Sequence, residues 1–307
     1  MLNYLVKRIF TAVIVIMGVS TAVFLLIHVV PGDPVQAMLG ETALPGNIEA
    51  IRIALGLDLP IHQQWLEFMK GLLRFDLGES LYSRRSVAEI IYERLGPTAL
   101  LAFASLVIAM LIAFPLGILA AIRKNTIWDS LAMSFSILGV AIPNFWMGPV
   151  LILIFSIGLG WLPVSGNEGI SSLVLPALTL GTALAAILSR MIRSALLEVL
   201  NEDYITAARA RGLSTLHILL RHALPNAALP VITVLGMQFG SLLAGAVITE
   251  TIFSWPGIGQ LTIESIQRRD YPVVQACVLL ISITYVFINL VTDLCYGMVD
   301  PRVRVEQ

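Results

Sequence analysis

An all-α, polytopic membrane protein with six transmembrane helices is the fold class this sequence predicts, and three observations carry it. The 307 residues are 57% hydrophobic and only 13% charged, with a mean hydropathy of +0.88, too apolar for a domain that must cover itself with polar surface. Six apolar runs approach the roughly 20 residues needed to cross about 30 Å of hydrocarbon. Lysine and arginine are distributed unevenly across the segments between those runs, as the positive-inside rule requires.

The first run, residues 9–30, follows Lys7 and Arg8. It exceeds the roughly 7–15 apolar residues of a signal peptide and no small-residue cleavage site follows it, so it reads as a retained span. Residues 31–97 come next as an extracytoplasmic segment, opened by Pro31-Gly32-Asp33-Pro34, a helix stop and turn. Within it, residues 47–55 and 60–75 have helical apolar spacing, the second placing Trp65, Phe68, Met69 and Leu72 on one side. These short amphipathic helices are too small to form a substrate-binding domain, so an external receptor would be another protein. Residues 98–307 then form a five-helix core with spans at 98–122, 130–157, 172–189, 227–253 and 273–292. The fourth of the six spans, 172–189, is the shortest.

With six spans, one side holds both termini and the loops at 123–129 and 190–226, with 11 lysines and arginines; the short opposite loops at 158–171 and 254–272 hold 2. Both termini and the arginine-rich loop are therefore expected in the cytoplasm. The net charge of −1 provides no global field to attract nucleic acid. Cys277 and Cys295 sit 18 residues apart on or beside the last span, about 27 Å along a helix, so neither a disulfide between them nor a metal-ligand spacing is expected.

Spans three and five carry helix-interrupting residues, Pro143 within AIPNFW, Pro149, and Gly236, Gly240 and Gly245. Two readings are open: kinks and close packing alone, or kinks that shape a solute path. On the second reading Pro143, Asn144, Gln238 and Glu250 are the candidate path residues. Glu250, in the outer part of span five, is an ionisable group where charge is expensive; it either lines the path or caps a helix. Asp293 is expected to be interfacial and structural, and His28 an interfacial polar residue.

The catalytic repertoire is short. The three lysines, Lys7, Lys70 and Lys124, follow Val6, Met69 and Arg123, so no Gly-Lys pair and no phosphate loop exists. H-E-x-x-H, G-x-S-x-G and C-x-x-C are also missing. The chain is therefore not expected to be an enzyme, nor to bind a cofactor or metal.

The most informative stretch is residues 203–225, DYITAARARGLSTLHILLRHALP, between spans four and five. Residues 198–211 read as a helix with Glu198, Glu202 and Asp203 toward its start and Arg209 and Arg211 toward its end, matching the helix dipole. Gly212 stops it; Ser214 caps a second helix over 215–223, which Pro225 helps to end. From the pattern alone this is either a rigid lever or an ordinary positive loop facing lipid phosphates.

Thr206-Ala207-Ala208, three residues, Gly212, nine residues, His222, one residue and Leu224-Pro225 resemble the EAA loop of ABC-importer permease subunits. Two positions depart from the family pattern: its frequent glutamate is Thr206 here and its hydrophobic residue is His222, so no salt bridge from position 206 carries over. MLNYLVKRIF, VVPGDP, GLDLPIHQQW, FDLGESLYSRRSVAEIIYERLGPT, GWLPVSG, ETIFSWPGIGQL, RRDYPVVQA and YGMVDPRVR narrow the resemblance to the dipeptide, oligopeptide, nickel and glutathione branch, over nearly the whole chain. SRRSVAEI and EDYITAARARG look nearest the glutathione type, with the nickel type close through IPNFW. The resemblance implies the type I importer permease fold in a bacterial inner membrane and a heterodimer with a second permease subunit. It also implies two cytoplasmic ATPases carrying the ATP and Mg, and an external substrate-binding protein. It assigns ATPase coupling to Thr206, Ala207, Ala208, Arg209, Arg211, Gly212, His222, Leu224 and Pro225. A self-sufficient channel or secondary transporter would explain six spans but not that loop.

Overall fold

The computed structural model describes residues 2–29, 52 and 58–299, and among these it is helical, with no β-strand and a single isolated bridge between Glu79 and Ser86. In chain order the helices are α1 (Leu2–Val29), α2 (Ile61–Leu73), α3 (Val87–Ile122), α4 (Ile127–Ala141), α5 (Asn144–Leu151), α6 (Ile170–Leu200), α7 (Asp203–Ala210), α8 (Thr215–Ile218), α9 (Leu224–Ile252), α10 (Ile258–Gln267) and α11 (Tyr271–Val299). π-helical turns over Ile152–Gly158 and Leu219–Ala223 extend α5 and join α8 to α9. The reading of residues 47–55 and of the Pro31 turn lies outside the described residues, as do the side chains of His28, Asp293 and Cys295.

Among the described residues, four stretches are each long and apolar enough to cross a bilayer: Val6–Leu25, Val87–Ile122, Ile170–Leu200 and Tyr271–Thr292. Two bent pairs, each taken as one span, bring the number to six. Ile127–Ala141 with Asn144–Gly158 turns through 104°, and Thr215–Ala228 with Pro230–Gly240 through 51°. The first bend is sharper than a kink. Ile142 is extended (φ −87°, ψ 114°) because Pro143 excludes it from the α region, and Pro143 itself precedes the first turn of α5. The second bend falls at Pro230, which the sequence reading passed over in favour of the glycines.

The pair α3 and α6 forms the centre. Small residues recur every fourth position on both, Ser105, Ala109, Ala113 and Gly117 against Ala177, Gly181, Ala185 and Ser189, all buried. A Cβ added to Gly117 would lie 2.8 Å from the Ser189 carbonyl, and one on Gly181 2.9 Å from that of Ser105, so the backbones touch where side chains are missing. Two expected boundaries shift. α3 begins at Val87, inside the presumed outer segment, and runs through Pro97. α6 continues to Leu200, eleven residues past the apolar run, because Arg193 has a buried partner and Leu196 joins the core.

Between α1 and α3, α2 presents the expected face to α1. Trp65 Nε1 donates to Thr21 Oγ1 at 3.2 Å, and the Phe68 and Phe24 rings lie 5.6 Å apart. Cys277 is a buried free thiol.

Candidate functional site

The segment after α6 is packed against the core along one face. The helix expected over 198–211 is instead two: α6 ends at Leu200, Asn201 and Glu202 turn the chain, and α7 starts at Asp203 with Glu202 extended before it. Glu198 therefore belongs to α6. Asp203 occupies the first turn of α7 and Arg209 the last, each complementing the dipole.

α7 ends in a Schellman turn. The Gly212 N–H donates to the Arg209 carbonyl at 2.9 Å and the Leu213 N–H to that of Ala208 at 3.4 Å, with Gly212 at φ +78°. Ser214 then caps α8 as expected, its Oγ accepting from the His217 N–H at 3.3 Å. Pro225 does not end the second helix. It follows directly on the π-helical turn Leu219–Ala223, and the chain from Thr215 runs on helically past it until the bend at Pro230.

Burial separates two faces. Ile205, Ala208, Ile218, Leu219 and Ala223 are buried in the same core cluster as Ile192 and Leu196 of α6. Asn226 Nδ2 donates to the Tyr204 hydroxyl at 3.0 Å, tying α7 to the start of α9. Thr206, Ala207, Arg209, Arg211, Gly212 and Pro225 are exposed, His222 and Leu224 half-buried, and Ala208 points inward. The outward face also carries Leu216 and Leu220, 65% and 57% exposed, which the sequence reading did not single out although they stand four residues apart. They line a shallow groove of about 600 Å³ with Ser214, His217, Arg221 and Pro225. Arg209 faces a second crevice of about 310 Å³ shared with Lys124 and Asn201.

The candidate path residues are not gathered into one place. Pro143 is exposed at the α4–α5 break, and Asn144 and Gln238 are half-buried. Glu250 is 0% exposed and acts as a staple. Thr98 Oγ1 donates to its Oε1 at 2.7 Å and the Gln260 N–H to its Oε2 at 3.1 Å, while Thr98 Oγ1 accepts from the Ile258 N–H at 2.8 Å. The carboxylate thereby caps the N-terminus of α10 from a different helix. Trp255 Nε1, donating to the Pro97 carbonyl at 2.9 Å, closes the same joint. Glu250 therefore fastens α9, α10 and α3.

Comparison with known proteins agrees with this architecture. Residues 113–305 match the family described as "Binding-protein-dependent transport system inner membrane component", and residues 1–102 match its N-terminal companion. The chain belongs to that family and is a multi-pass membrane permease component of an ABC importer. It is 42% identical over 304 residues to the glutathione transport system permease protein GsiC of Escherichia coli O6:H1, covering 99% of each chain. The GsiC of Escherichia coli K12 and that of Salmonella paratyphi A match at the same identity and coverage. Among solved structures, the MetNI methionine ABC transporter in inward-facing conformations aligns over 69% of this chain and 97% of its own, with TM-score 0.59 at 19% identity. An amino acid ABC transporter with histidines gives 0.55 at 16% identity over 69% of this chain and 94% of its own. These two establish the likeness of fold.

Proposed function

We propose that this permease forms half of the translocation path of an importer for small peptides, glutathione among them, and that residues 206–225 dock on a separate cytoplasmic ATPase. The observation that supports the docking role is the two-faced loop: Ile205, Ala208, Ile218, Leu219 and Ala223 fix it to the core, while Leu216, Leu220 and Arg221 stand outward around a groove. An ordinary lipid-facing loop needs no such welding. A lever does, because force applied to its outer face must move the spans rather than the loop.

ATP binding on two such ATPases draws them together, shifts the lever and turns the cavity between two permease subunits outward; hydrolysis resets it. Alternating access of this kind requires two packings of the helices biased by nucleotide. The second subunit is a different permease chain, the loop side is the cytoplasm of a bacterial inner membrane, and an external binding protein delivers the solute. This chain itself carries no cofactor. The peptide substrate is supported by the 42%-identical relatives being named as glutathione permeases.

A thermal-shift screen of the partner binding protein with dipeptides, longer peptides, glutathione and a nickel chelate tests the substrate. A ligand at 100 times its dissociation constant stabilises by about 2.7 kcal/mol. Stabilisation by glutathione or a peptide is the expected result. Stabilisation by the chelate alone would reassign the chain to metal uptake.

A further inference from the structure

Asp129, in the first turn of α4, is 5% exposed. Arg193 of α6 holds its carboxylate bidentately, Nε to Oδ1 at 2.6 Å and Nη2 to Oδ2 at 2.8 Å, and the Asn125 N–H donates to Oδ2 at 3.0 Å. The ion pairs Lys70–Glu67 and Arg85–Glu93, by contrast, are exposed. Asp129 is buried while about a quarter of the Arg193 side chain, 26%, stays in solvent, and a bidentate guanidinium–carboxylate pair of this kind fixes geometry between the helices that carry it.

The surroundings make a register necessary. Where α4 meets α6 the faces are smooth: Ala132, Ser136 and Gly139 lie on α4, a Cβ on Gly139 would come within 2.9 Å of the Ala186 Cβ, and the Ser136 and Ser189 hydroxyls bond at 2.7 Å. Such faces slide easily, having no large knobs to interlock. At its inner end Arg193 sits beside Ile192 and within one turn of Leu196, residues of the cluster that buries the lever. At the outer end of α4 the chain turns 104° into α5, whose Gly148 packs on Ile252 and Phe253 at the outer end of α9.

We propose that the Asp129–Arg193 pair is a positioning joint that makes α4 follow α6 when the lever moves, carrying the displacement to α5 and the outer end of α9. The inference rests on residues 206–225 being the ATPase-driven lever. Neither residue touches solute or nucleotide; both act through the helices they connect. Loss of the joint lets the lever move α6 while α4 slips, so ATP is hydrolysed with less solute moved.

The test is solute transported per ATP hydrolysed by the complete transporter in proteoliposomes with its binding protein, comparing wild type, Asp129→Asn, Arg193→Gln and the exchange Asp129→Arg with Arg193→Asp. Each single change is expected to lower the ratio about tenfold, within the span of couplings between sites. The exchange recovers part of it, because an arginine at 129 loses the Asn125 N–H and faces a helix N-terminus. The ratio is taken per assembled complex, so a purely structural role would reduce yield and leave it unchanged. Single variants at the wild-type ratio, or an exchange variant as low as the singles, overturn the joint while leaving the lever intact. A wild-type complex that transports without ATPase subunits overturns the lever, and the joint with it.

Discussion

Gly212 offers a prediction whose size follows from backbone geometry alone. Its φ of +78° is left-handed, and a Cβ built there meets nothing within 4 Å. A side chain at 212 therefore costs conformational energy without a clash: about 1 kcal/mol for alanine relative to glycine. Asparagine, which enters this region more readily, costs less, and valine, β-branched, costs more. What is lost is the turn in which Gly212 and Leu213 cap the end of α7. About 1 kcal/mol corresponds to a fivefold shift between the ordered and disordered turn. ATP-driven uptake by the reconstituted transporter, normalised to assembled complex, should fall in the order Gly212, Asn, Ala, Val, with expression intact. Ordering by size would place alanine above asparagine, with asparagine near valine. That outcome, or wild-type uptake by the valine variant, refutes the argument from φ.

Exchanging Arg209 and Arg211, both exposed, for glutamate should reduce the ATPase recovered with the purified permease, measured by subunit stoichiometry; full retention would favour a lipid-facing loop. Glu250→Ala leaves the Thr98 hydroxyl and the Gln260 N–H without their acceptor, each worth about 1–3 kcal/mol when buried, so the unfolding midpoint should drop well below that of Glu250→Gln. Equal midpoints for the two would contradict the staple. Gly181→Val forces a side chain against the Ser105 carbonyl and should destabilise by about 1–3 kcal/mol, the usual overpacking cost, whereas Gly18→Val on α1, with open space around it, should not.

The parts of this protein legible in its sequence are those fixed by short-range physics. The apolar runs announce spans because hydrocarbon tolerates no unpaired backbone, and Gly212 and Ser214 announce a stop and a cap because few other residues do those tasks. What escaped depends on partners distant in the chain. Thr98 is 152 residues from Glu250, and Arg193 is 64 from Asp129, so neither the staple nor the joint has a local signature. The length of α6 was underestimated for the same reason: hydropathy ends at Ser189, but Arg193 remains helical because its charge is matched by another helix. Pro225 does not end its helix because a π-helical turn, Leu219–Ala223, runs directly into it, a feature with no signature in the local pattern. Leu216 and Leu220 were hidden in a pattern read for its arginines.

The central claim is that this permease moves solute only when a separate ATPase drives its loop. Uptake into proteoliposomes tests it most directly, comparing the chain alone with the complete transporter, each with and without ATP on the loop side. The account predicts uptake only by the complete transporter with ATP. Uptake by the chain alone in ATP-free vesicles, unaffected by Gly212→Val, would contradict it and define a self-sufficient carrier.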